Sequence, residues 1–159
     1  MESALRPLES LLADVPFLEG LEADRLALLA GCAGNVHFDA GSNLFREGDA
    51  ADTFYVVRHG TVAIETFVPA RGPVVIETIE SGEVIGWSWL FAPYRWHFDA
   101  RALTAVRATG FDGACLRQKC ESDPALGYEL MGRFAQVLIE RLQWMRLRLL
   151  DIYGDGSGS

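Results

Sequence analysis

Phe54-Tyr55-Val56-Val57-Arg58-His59-Gly60-Thr61-Val62-Ala63-Ile64-Glu65-Thr66 reads as two β-strands about a turn. Phe54, Val56 and Val57 fill the first arm, and Arg58-His59-Gly60 supplies the turn. In the second arm Val62, Ile64 and Thr66 alternate with Ala63 and Glu65, as a half-buried strand does. Outward from this stretch, residues 74–79 form another strand closed by Ser81-Gly82, and residues 102–106 and 108–111 supply two more. Gly41, Gly48, Gly60, Gly82 and Gly86 punctuate the run. Many short strands at close spacing predict a mainly β domain, an antiparallel jelly roll or β-roll, over residues 35–122.

Helices are predicted on either side. In residues 1–34, Leu8, Leu11, Leu12 and Val15, then Leu21, Leu26, Leu28 and Leu29, fall at helical spacing, with Pro16 between the two pieces. These helices are expected to pack on the roll. Beyond the roll, Asp123 before Pro124 is a strong helix start, a capping side chain followed by proline in the first turn. The long helix is placed at residues 123–153, with a flexible tail at 154–159. Met131, Ala135, Leu138, Leu142, Met145, Leu149 and Ile152 step by alternating fours and threes, a heptad seam. Leu130, Phe134 and Val137 form a second stripe. Two stripes require two partners, the helix's own roll and a second copy, so a homodimer is expected. The alternative, one wide stripe inside a monomer, stays open, although a helix of roughly 29 residues makes a rod of ~43 Å, long for one small roll.

Composition narrows the function. The chain has 159 residues, half of them hydrophobic, and suits one domain. Its net charge is −8 and Lys119 is its one lysine, which argues against binding DNA unaided. Cys32, Cys115 and Cys120 form no CxxC pair, so three reduced thiols are expected. No signal-peptide pattern opens the chain, and no apolar run approaches the ~20 residues that span a bilayer. A cytoplasmic protein without membrane contact is the expectation. His37, His59 and His97 lack metal-ligand spacing, so no metal site is expected.

Residues 15–90 carry a resemblance. Pro16-Phe17-Leu18 with residues 26–29, Phe38-Asp39-Ala40-Gly41-Ser42, Leu44-Phe45-Arg46-Glu47-Gly48-Asp49, Phe54-Tyr55-Val56-Val57 with Gly60, and Gly82-Glu83-Val84-Ile85-Gly86 occur in that order. The set resembles the cyclic-nucleotide-binding domain of the CRP/FNR type: N-terminal helices, first strands and turn, central hairpin, and the approach to a phosphate-binding cassette. Arg141-Leu142-Gln143 is similar to that family's dimerisation helix. The resemblance implies a β-roll that binds a cyclic nucleotide, with Gly86 opening a loop whose backbone N–H groups cradle an anion.

The cassette departs from the family pattern. Relatives carry a Glu for the ribose and an Arg for the cyclic phosphate; here Trp87 stands in the Glu position, and the Arg position falls at Trp96 or His97. Arg95 is adjacent, but strand alternation turns neighbours to opposite faces. Small hydroxyl residues meet the base in relatives that bind cAMP; here Trp144, Met145 and Arg146 follow on the helix. The candidate pocket is therefore Gly86, Trp87, Ser88, Trp89, Arg95, Trp96 and His97, closed by Trp144, Met145 and Arg146. A phosphate buried there without its cation is under-compensated, so conventional cyclic-nucleotide binding is expected to be weak or absent. The pocket is either filled by its own aromatic side chains or open to an unidentified, flatter or more apolar small ligand. His97 and Asp99 have no nucleophile beside them in sequence, and no catalytic residue is assigned.

These readings predict a non-catalytic regulatory or sensor module that signals through a dimer helix to an unknown protein partner. The alternatives are the sensor part of a CRP/FNR-type transcription regulator without its DNA-binding domain, and a ligand-free interaction module.

Overall fold

A computed structural model describes residues 8–90 and 92–157. The stretch about Gly60 becomes β3 (Thr53–His59) and β4 (Val62–Val68). The two do not pair as a hairpin. β3 lies in one four-stranded antiparallel sheet, ordered β1 (Ala33–Phe38), β8 (Val106–Asp112), β3, β6 (Val84–Ile85). β4 lies in the other, ordered β2 (Asn43–Phe45), β7 (Asp99–Ala102), β4, β5 (Gly72–Ile79). Gly60 is the corner where the chain changes sheets. Its φ is +99°, and a Cβ there would sit 2.4 Å from the Ala105 carbonyl oxygen, so only glycine passes.

Among the described residues four α-helices flank the sheets: α1 (Leu8–Ala13), α2 (Ala23–Ala30), α3 (Gly113–Ser122) and α4 (Pro124–Ser157). The fold is the predicted antiparallel roll with flanking helices. β1 begins at Ala33, inside the expected helical segment, and the segment read as roll ends in α3. Asp112 caps α3 by accepting from the Cys115 N–H at 3.0 Å. Helix α4 runs past residue 153 to Ser157, where a tail was expected, so that expectation is corrected; residues 158 and 159 lie outside the described residues, as do residues 1–7.

Strand alternation divides the interior into two cores. Phe54, Val56 and Phe111 face the helices and pack with Leu12, Leu18, Leu29, Leu116, Leu126, Leu130 and Phe134. Val57, Val106 and Ala108 face the opposite sheet and pack with Val62, Ile64, Ile79, Ile85 and Ala102. Leu130 and Phe134 thus dock α4 on the roll through the second stripe.

The cysteine expectation is corrected. Cys32 and Cys115 form a disulfide across 83 residues of sequence, while Cys120 stays free. The cause is strand register: Ala33 pairs with Phe111, and the Asp112 N–H donates to the Cys32 carbonyl at 2.8 Å. This places the first turn of α3 over the start of β1, a contact that sequence spacing does not reveal.

Candidate functional site

Gly86 follows β6 with φ +96°, a backbone turn that a side chain would strain. A Cβ there would meet the Trp96 ring at 2.6 Å, so the absence of a side chain is what lets the indole in. Two backbone bonds to the β2–β3 loop hold Trp96 in place. Its N–H donates to the Asp49 carbonyl at 3.0 Å, and its carbonyl accepts from the Gly48 N–H at 2.9 Å. The indole is 5% exposed and stacks on Phe45, ring centroids 3.7 Å apart and planes 10° apart. It fills most of the space beside Gly86. What remains is a cavity of about 50 Å³, lined by Ile64, Ile76, Ile85, Trp87, Ser88 and Phe98 among others.

Helix α4 closes the cavity with Arg141 and Met145. These residues are one turn apart and share a helix face. The Arg141 side chain is 12% exposed. Its guanidinium donates to the Val84 carbonyl, stands 3.9 Å from the Glu77 carboxylate, and lies 5.1 Å from the centre of the Trp87 ring. Burial lowers the Arg141 pKa, and Glu77 offsets only part of that. Burial likewise raises the Glu77 carboxyl against the pull of Arg141. Both shifts point the same way: at this separation desolvation outweighs the attraction.

The predicted pocket residues therefore separate. Gly86, Trp87, Ser88, Trp96 and Met145 line the cavity. Trp89 does not: it is fully buried in the helix-facing core, stacked on Phe54 with centroids 5.4 Å apart. Arg95 and His97, alternating with Trp96, turn outward and are exposed. Arg95 donates to the Gly48 carbonyl at 3.0 Å, outside the cavity. Trp144 and Arg146 also miss it, because a one-residue step turns a helix by about 100°. Trp144 instead borders a groove of about 520 Å³ with Pro16, Phe17, Val84 and Val137, which meets the cavity at Arg141. Asp99 is not paired with His97 as base and orienter; its carboxylate accepts from the Glu47 N–H at 2.7 Å. Reading of the sequence missed Arg141 and Glu77 as pocket residues. Arg141 stood in the quoted helix motif, and its helical spacing from Met145 was the available signal.

The rest of the predicted α4 seam lies beside the face that closes the cavity, and Met145 belongs to both. Met131, Leu142, Met145 and Leu149 are 38–61% exposed, Ala135 is exposed and Leu138 half-buried. The Ile152 side chain lies outside the described residues. Among the described residues no helix is long and apolar enough to cross a membrane, and no cluster of three or more metal-ligating side chains occurs.

The cavity beside Gly86 is small for a ligand site. Ligand clefts measure about 300–1,000 Å³, against about 50 Å³ here. The guanidinium that reaches the cavity, Arg141, is engaged by Val84 and faces Glu77.

Over 145 residues the chain is 26% identical to the CRP-like cAMP-activated global transcriptional regulator of Mycobacterium tuberculosis, a match that covers 91% of this chain and 63% of that protein. The chain thus spans less than two thirds of that relative. A solved structure from Geobacter metallireducens GS-15, described as a cyclic nucleotide-binding protein, superposes with a TM-score of 0.75 at 29% identity, covering 86% of this chain and 98% of that one. The N-terminal domain of a transcriptional regulator from Streptomyces coelicolor A3(2) gives 0.67 at 26% identity, covering 84% and 94%. The family model for the cyclic nucleotide-binding domain matches residues 35–123, which hold the roll, the cassette and α3. With more than half its length inside that match, the chain belongs to the cyclic nucleotide-binding domain family.

Proposed function

We propose that this chain is a regulatory module of that family whose nucleotide pocket is occupied by its own side chains, and that it works as a homodimer through α4 on a protein partner. The stacking of Trp96 on Phe45 beside Gly86 carries the reading. An indole and a phenyl ring stand where a sugar phosphate would need space, and Trp87 offers no acceptor for a ribose hydroxyl. The exposed seam of α4 supports the dimer: Leu142 and Leu149 are 61% and 54% exposed in the single chain, a stripe that a second copy covers in heptad packing. The net charge of −8 supports a protein partner over a phosphate backbone. No catalytic step is assigned.

Calorimetric titration with cAMP and with cGMP tests the pocket. The expected result is no binding up to millimolar nucleotide. Micromolar affinity for either would mean that Trp96 yields its place, and the reading would fall.

A further inference from the structure

We propose that Cys32 and Cys115 form a reversible thiol–disulfide switch that fixes or frees α3, the element leading into the long helix. Cys32 lies between α2 and β1 and is 7% exposed; Cys115 lies in the first turn of α3 and is half-buried. Their bond clamps the start of α3 to the edge strand β1. On its far side α3 is continuous with α4 through Asp123, whose carboxylate accepts from the Leu126 N–H at 3.2 Å. The clamp therefore sits one short helix away from the proposed dimer seam. Without it, the first turn of α3 keeps the Asp112 cap and the burial of Leu116.

The chemistry needs a dithiol, and its access is one-sided. A thiolate from the reductant attacks the sulfur of Cys115, the more open of the pair, forming a mixed disulfide there. Cys32 leaves as a thiolate and takes up a proton. The second thiol of the reductant then attacks the mixed disulfide, and Cys115 is released and protonated. Two electrons and two protons pass to the protein, and the dithiol leaves as its own disulfide. Cys120 is a poor competitor, because burial raises its thiol, with Asp123 adding to the effect. Bonds of this kind inside cells are characteristically transient and redox-sensing.

The whole protein is equilibrated in buffers of graded reduced-to-oxidised dithiothreitol ratio, trapped with iodoacetamide and weighed. One alkylated thiol is expected at the oxidising end and three at the reducing end. Hydrogen exchange over residues 113–122 is then compared in the oxidised protein and after dithiothreitol, with exchange at least about tenfold faster expected on reduction. Cys120→Ser should keep both responses. The double variant Cys32→Ser, Cys115→Ser should exchange like the reduced protein in every buffer. Three alkylated thiols at every poise would overturn the bond itself. A bond that opens with no change in exchange over α3 would overturn the switch. Neither readout depends on nucleotide or on dimer formation.

Discussion

Trp96 and Gly86 are complementary at the scale of single residues, since the indole enters only because residue 86 has no side chain. Trp96→Ala removes a ring that is stacked and 95% buried by its 5% exposure. The loss should be about 3–5 kcal/mol, the range for deleting a buried aromatic with incomplete collapse of its site. Denaturant unfolding measures the loss, and added indole should restore part of it by binding the vacated space. A cost under about 1 kcal/mol would show that the indole does not fill the site. The aromatic character of the cassette at Trp87 and Trp96 was legible in sequence, because both positions fall inside an ordered motif. Which of Trp96 and His97 turns inward was not. That choice depends on the two backbone bonds to Gly48 and Asp49, which are distant in sequence. Trp89 was misplaced for a similar reason: the 3-10 turn at Ser88–Leu90 rotates it away from the cavity and into the other core.

Secondary-structure elements were read best where a local signal sets their start. Asp123-Pro124 opens α4 where capping chemistry places it, and the stripe of Leu130 and Phe134 docks the helix on the roll. The register of α4 against the pocket was read in part: of Trp144, Met145 and Arg146 only Met145 lines the cavity, and Arg141 one turn before it was missed, because heptad spacing fixes the relative phase of a helix and not its rotation against a neighbour. Strand partners were less legible still. β3 and β4 follow one another in sequence yet pair with β8 and β6 and with β5 and β7, since Gly60 turns a corner between sheets instead of closing a hairpin. The seam makes a prediction of its own at this scale. Leu142 is 61% exposed and central in the stripe, so Leu142→Glu should place a charge in the helix–helix contact while leaving the roll untouched. Light scattering should then report 17.5 kDa where the parent chain reports twice that mass, with unchanged circular dichroism. A variant that keeps the dimer mass would remove the seam from the proposal.

At the scale of the whole molecule, two carboxylates at the contacts of α4 with the rest of the chain respond to acid in opposite directions. Glu129 bonds to Arg133 on its own helix at 3.0 Å and to Arg25 of α2 at 2.5 Å. The hydrogen bond from Arg133 leads in holding its carboxyl below the usual carboxylate range, partly against burial, and Arg25 adds to it. Its folded-state pKa is depressed, so its contribution to stability is present above the usual carboxylate pKa and lost as pH falls through the folded value. Glu77 is the reverse. Burial raises its carboxyl, with Arg141 opposing, so folding favours the protonated form. Its contribution is full below the usual carboxylate pKa and is lost as pH rises through the folded value. Melting temperatures of the parent chain, Glu77→Gln and Glu129→Gln, followed from neutral pH into the acid range, separate the two. The parent's advantage over Glu129→Gln should shrink on acidification, and its advantage over Glu77→Gln should move in the parent's favour. Two difference curves of the same slope would mean that Glu77 is governed by its attraction to Arg141 and not by burial, and the pocket would then hold an ordinary ion pair instead of a desolvated one.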